Sequence, residues 1–219
     1  MDELRRSYHD RIASLRAQTI AIVRDAARSV GDVTVALVER DSAAGEVIVV
    51  DGGDVARRVA EVEAGVLDII AQQAPVGRDL RVVLAALRIA QIAELCLGLS
   101  RTLASRVGRG EDVLTDELRA LTYAIGERTS GLLEDANGAW IVLDEAQARA
   151  VIESVGEVRD LHRRFLAELL GLDGVPVDAA VDLGMAARVY ERLTDHAVEI
   201  AGRVLFAVTG TPTIDTIAP

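Results

Sequence analysis

The chain has 219 residues, half of them hydrophobic but only 3% aromatic, so its core must be filled by Ala, Val, Leu and Ile. All 24 basic residues are arginine, and the absence of lysine removes Schiff-base chemistry and the phosphate-binding lysine of ordinary Walker-type NTPases. With 35 acidic residues the net charge is −11, which disfavours nucleic acid as a partner, and the lone Cys96 can form neither an intramolecular disulfide nor a thiolate metal cage.

The N-terminal Met1-Asp2-Glu3-Leu4-Arg5-Arg6 lacks the apolar core of a signal peptide. From Leu4 to Val38, apolar residues recur at helical spacing (Ile12, Leu15, Ile22, Val23, Ala26, Val30, Val33, Leu37), which predicts a first helix. Breaks are expected at Gly45 and at Asp51-Gly52-Gly53. The strand-like Val47-Ile48-Val49-Val50 has no partner strand and is read as helix or buried linker. Asp54 is placed as N-cap of a second helix through Val55, Val59, Val62, Val66, Ile69 and Ile70. A third helix is expected over residues 76–107, and Gly108-Arg109-Gly110 closes the first half. A fourth covers 114–134 and ends at Asn137-Gly138; a fifth runs from Asp144 to Gly171; a sixth follows Pro176 to about Val208. Pro75 and Pro176 each open a long Ala/Val/Leu-rich segment, and they stand close to half a chain apart. The expectation is an all-α chain of six helices in two pseudo-repeated three-helix bundles, residues 1–109 and 110–210, with an irregular tail at 211–219. No uncharged stretch reaches the roughly 18 residues of a membrane span, so a soluble intracellular protein is expected.

No GxSxG, HExxH or ExxH pattern occurs, and three histidines with one cysteine leave nucleophilic catalysis few candidates. The carboxylates are more informative. Glu191, Asp195 and Glu199 fall at i, i+4 and i+8 and share one stripe of the sixth helix, with His196 beside them. Oxygen ligands of this kind suit Mg, Mn or Fe. A solvated, ion-paired face is the competing reading, because Arg188, Arg192 and Arg203 lie within range. On the fifth helix Glu153, Glu157 and Asp160, with His162 nearby, are read as a surface neutralised by Arg159, Arg163 and Arg164. His9 is expected to be exposed or capping, and Cys96 to be core.

These residues carry a resemblance. Gln72-Gln73-Ala74-Pro75-Val76-Gly77-Arg78-Asp79-Leu80-Arg81 resembles the "QQPvaxDLR" that opens the third helix of the PhoU family of phosphate-uptake regulators. Tyr190-Glu191-Arg192-Leu193-Thr194-Asp195-His196-Ala197-Val198-Glu199-Ile200-Ala201 resembles that family's "ERxxDHAxxIA", and the following Val204 to Gly210 is similar to its closing "vxfxxxG". Leu4 to His9 and Asp160-Leu161-His162-Arg163 resemble the actinobacterial branch, so the likeness spans nearly the whole chain.

The resemblance implies the PhoU fold and a non-catalytic, cytoplasmic, homodimeric adaptor. Such an adaptor would link the phosphate (Pst) transporter ATPase to a sensor histidine kinase and repress the phosphate-starvation response, meeting the membrane only through its partners. Many members hold divalent or iron-type metal ions on E/D-x-x-x-D motifs, one per repeat; carried over, the second-repeat metal pair is Glu191 and Asp195. The chain departs from this pattern in its first repeat, where the motif falls on Glu94 and Gly98 and loses a carboxylate. Asp51 and Asp54 are out of register with the neighbouring acidic set, and Arg159 stands where the fifth helix should supply an acid. The other readings are a metal-binding helical sensor or buffer, and a diverged structural paralogue without signalling.

Overall fold

The computed structural model describes residues 2–51, 54–109 and 112–211. Among them there is no strand, and seven helices make up the fold: α1 (Asp2–Glu39), α2 (Ser42–Asp51), α3 (Val55–Gln73), α4 (Gly77–Ala104), α5 (Asp116–Val142), α6 (Glu145–Gly171) and α7 (Val177–Thr209). Six are the long helices expected from periodicity; the seventh, α2, is short.

α2 begins after a turn at Arg40, which takes a left-handed φ of 57°, and the Asp41 carboxylate then accepts from the Ala43 and Ala44 N–H groups at 3.0 Å. Gly45 lies inside this helix and does not break it. A Cβ there would stand 3.1 Å from the Ala104 carbonyl oxygen and from Val107 Cβ, so the glycine lets α2 approach the end of α4. The Val47–Val50 run is helical as one reading had it, but it is not a buried linker: Val47, Val49 and Val50 face outward while Ile48 packs on the core.

The stop expected at Asn137-Gly138 does not occur, and α5 continues to Val142. Both residues serve close approach instead. Asn137 Nδ2 donates to the Ile20 carbonyl oxygen of α1 at 3.2 Å, and a Cβ on Gly138 would sit 2.7 Å from Gln147 Nε2 of α6. The true end is Leu143, left-handed at φ 55°; Asp144 then caps α6 by accepting from Gln147 N at 3.0 Å. Asp54 occupies the N-cap position of α3, but with helical backbone angles its side chain makes no cap bond and pairs with Arg57. At the far end Gly210 (φ 79°) terminates α7, its N–H bonded to the Phe206 carbonyl oxygen. Residues 52–53, 110–111 and the tail from 212 lie outside the described residues.

α1, α3 and α4 pack on one another, as do α5, α6 and α7, and the two sets meet where α1 lies on α5 and α4 on α7. One hydrophobic core runs through all of these contacts and contains Cys96. The α1–α5 seam is antiparallel and keeps a steady register: Arg16 reaches Trp140 and Ile141, Ile20 meets Asn137, Ala27 accepts from Ser130, and Arg119 donates to Val38. Among the described residues α4 alone is long and apolar enough to cross a membrane, although Arg88 and Glu94 interrupt it. Its apolar window is 56% buried inside the bundle, where Val82, Val83, Ile89 and Leu103 meet neighbouring helices.

Candidate functional site

The carboxylate stripe of α7 is fixed from behind. Tyr190, Leu193, Thr194 and Ala197 are buried, and the Tyr190 hydroxyl lies 2.8 Å from Thr34 Oγ1 of α1, so the stripe points away from the core, with Glu191 beside the α6 groove residues and Glu199 nearer Cys96 of α4. Glu191 and Asp195 are thus one turn apart on a well-anchored helix, as their spacing requires.

Their electrostatic surroundings differ. Glu191 is ion-paired with Arg188 at the surface. Asp195 is half-buried: burial, followed by the negative charge of Glu191, pushes its carboxyl above the ordinary range, while Arg159 of α6, His196 and Arg188 oppose the shift. Glu199 goes the other way. His196, with Nδ1 3.8 Å from its carboxylate, and Arg203, bonded at 2.9 Å, bring it down to about 2 despite partial burial.

The facing stretch of α6 is partly as read. Asp160 pairs with Arg163, and Glu157 pairs with Arg128 of α5, so this stripe is an ion-paired surface. His162 does not belong to it. The side chain is 8% exposed, its Nε2 has no hydrogen-bond partner, and burial lowers its proton affinity against the pull of Glu191. The signal was present in the sequence, since Val158, His162, Phe165 and Leu169 follow one helical stripe and all four are buried. His162 lines an α6–α7 groove of about 480 Å³ with Arg159, Arg163, Leu166, Arg188 and Glu191. Gly184 lies in the groove wall, and a Cβ there would meet no atom within 4 Å. His9 is exposed, edge-on to Tyr8.

In the first half the corresponding positions hold less. Glu94 is half-buried on α4, Gly98 offers no ligand, and between them Cys96 is fully buried with its thiol raised to about 12 by burial and by Glu199. Among the described residues, no three His, Cys, Asp or Glu side chains come together in a way that would hold a metal ion. The α6–α7 face is an array of alternating charges beside an open groove.

Comparison with known proteins agrees with this geometry. The PhoU domain profile matches residues 123–204. The chain is 30% identical over 220 residues to the phosphate-specific transport system accessory protein PhoU homolog 1 of Mycobacterium leprae, covering 98% of each. It is 29% identical over 210 residues to PhoU homolog 2 of Mycobacterium tuberculosis, covering 94% of this chain and 99% of the relative. Its fold matches the crystal structure of PhoU from Pseudomonas aeruginosa with a TM-score of 0.86 at 21% identity, over 93% of this chain and all of the other. The phosphate transport system regulatory protein PhoU from Streptococcus pneumoniae matches at 0.85 and 16%, over 93% of this chain and 98% of that one.

Proposed function

Because the chain belongs to the PhoU family, we propose that it is a regulatory accessory of a phosphate transport system, acting by contact and not by catalysis. The observation that carries this reading is the match to phosphate-specific transport accessory proteins over 98% of this chain and 98% of the relative. The finer reading is a cytoplasmic homodimer that links the transporter's ATPase to a sensor histidine kinase and holds the phosphate-starvation response silent while phosphate is plentiful.

The fold supports an adaptor. Helices of 27 to 38 residues joined through one core form a stiff body whose outer faces keep their spacing, so that contacts at one end are rigidly related to those at the other. The charged α6–α7 face can exchange its exposed ion pairs for pairs with a partner at little cost, since each such pair is worth about 0–1 kcal/mol. Deletion of the gene in its own host tests the reading. Phosphate uptake and transcription of phosphate-starvation genes are expected to rise in phosphate-rich medium and to return to normal on complementation. Unchanged uptake and unchanged transcription would overturn it.

A further inference from the structure

The resemblance implies a metal on Glu191 and Asp195, and the side chains present do not fit one. Two carboxylates a turn apart leave most of the coordination shell of a hard cation to water, which makes for weak binding. Among the described residues no third His, Cys, Asp or Glu completes the set. Each carboxylate also already faces a cation: Glu191 is paired with Arg188, and the charge of Arg159 acts on Asp195 from across the α6–α7 contact. A third pair, Arg163 with Asp160, lies on the same face. Two of the face's carboxylates, Asp160 and Glu191, are thus already paired, and Arg159 adds a third guanidinium to the groove beside Glu191, which leaves little negative charge there to neutralise. A divalent ion entering here would meet the positive charge of Arg188 on Glu191 and of Arg159 in the same groove, or would have to displace them.

We propose that in this chain the guanidinium charges of Arg159 and Arg188, which line the α6–α7 groove with Glu191, take the place of a bound metal beside Glu191 and Asp195, so that the face is neutralised within the chain. Arg159 is decisive, because it stands on α6 where the resemblance calls for an acid, and it lines the α6–α7 groove with Arg188 and Glu191, so that a positive charge stands where a further ligand would be needed. The consequence is a fold that owes nothing to free metal or to chelators, unlike one in which metal binding is part of folding. The inference does not depend on which partners the chain has.

Three proteins prepared without an affinity tag test it: wild type, Arg159→Asp, and Arg159→Asp with Glu191→Ala and Asp195→Ala. Metal per chain is measured by elemental analysis, and thermal midpoints are recorded with EDTA and with a Mn2+ titration. Wild type is expected to hold no stoichiometric metal and to keep its midpoint under both treatments. Arg159→Asp is expected to retain Mn2+, with its midpoint rising by roughly 5 °C or more at about a hundredfold excess over Kd. The triple variant is expected to lose that gain. Arg159 is exposed, so the variants should fold, and far-UV circular dichroism checks that they do. Stoichiometric metal in the wild type that disappears in Glu191→Ala/Asp195→Ala would overturn the proposal. So would a folded Arg159→Asp protein that gains no metal.

Discussion

Thr34 donates its one hydroxyl proton to the Val30 carbonyl oxygen at 2.6 Å, so the Tyr190 hydroxyl must donate to Thr34 across the α1–α7 contact. Tyr190→Phe removes that bond from a dry site, and a loss of about 1 kcal/mol in urea unfolding is expected. Gly126 sits against the same threonine, where a Cβ would overlap its side chain; Gly126→Ala should therefore cost about 1–3 kcal/mol in the same assay, although alanine is the better helix former. Glu199 makes a pH prediction. Its carboxyl falls from 4.5 to about 2 on folding, so it contributes stability that is fully present above pH 4.5 and lost as pH falls toward 2. Glu199→Gln is expected to flatten the acid-unfolding curve over that window and to leave its shape near neutrality unchanged.

At the scale of elements, two arginines hold the α1–α5 seam reciprocally. Arg16 of α1 donates to the Trp140 and Ile141 carbonyl oxygens (2.6 and 2.8 Å) in the last turn of α5, and Arg119 of α5 donates to the Val38 carbonyl oxygen in the last turn of α1. Each guanidinium meets carbonyls left over at a helix end, where a positive charge also suits the dipole. Arg16 lies 5.2 Å from the Trp140 ring centre as well. Arg16→Ala is expected to cost about 1.5–3 kcal/mol, because two charge-assisted bonds are lost and the carbonyls at the end of α5 are left without them. Little of this was legible beforehand. Apolar periodicity located the six long helices because each buries a stripe, and the prolines located the starts of two. The same periodicity is silent on which polar residue crosses between helices. That is why Asn137-Gly138 looked like a break: the pair has turn chemistry, but tertiary contacts to Ile20 and Gln147 hold it in a helix. Glu191 and Asp195 were legible as neighbours from their spacing alone. The burial of His162 was missed because its charged neighbours in sequence, Asp160, Arg163 and Arg164, drew it onto the surface, whereas its phase relative to Val158 and Phe165 turns it inward.

For the molecule as a whole, the question is whether the two packed sets, α1 with α3 and α4 and α5 with α6 and α7, unfold separately. The repeated plan of three long helices in each favours independence; the packing favours unity. The core is continuous across the α1–α5 and α4–α7 contacts, and the seam carries the Arg16, Asn137, Ser130 and Arg119 bonds as well as the buried Tyr190–Thr34 pair. Separating the two sets would expose Trp140, which packs beside Arg16, and Tyr190, whose bond to Thr34 would break, and burial of each large apolar side chain is worth about 1.5–3 kcal/mol. Because the core is shared, neither set keeps its buried surface without the other, so a single transition is expected despite a length at which intermediates become common. Trp140 is the only tryptophan and lies on the seam, which makes its fluorescence a report on docking, while far-UV circular dichroism reports on all the helices together. In a urea titration the two signals should share one midpoint. Fluorescence changing well before helicity would mean that the halves part while still folded, and the rigid relation between their outer faces, on which an adaptor of this design depends, would then have to be supplied by its partners.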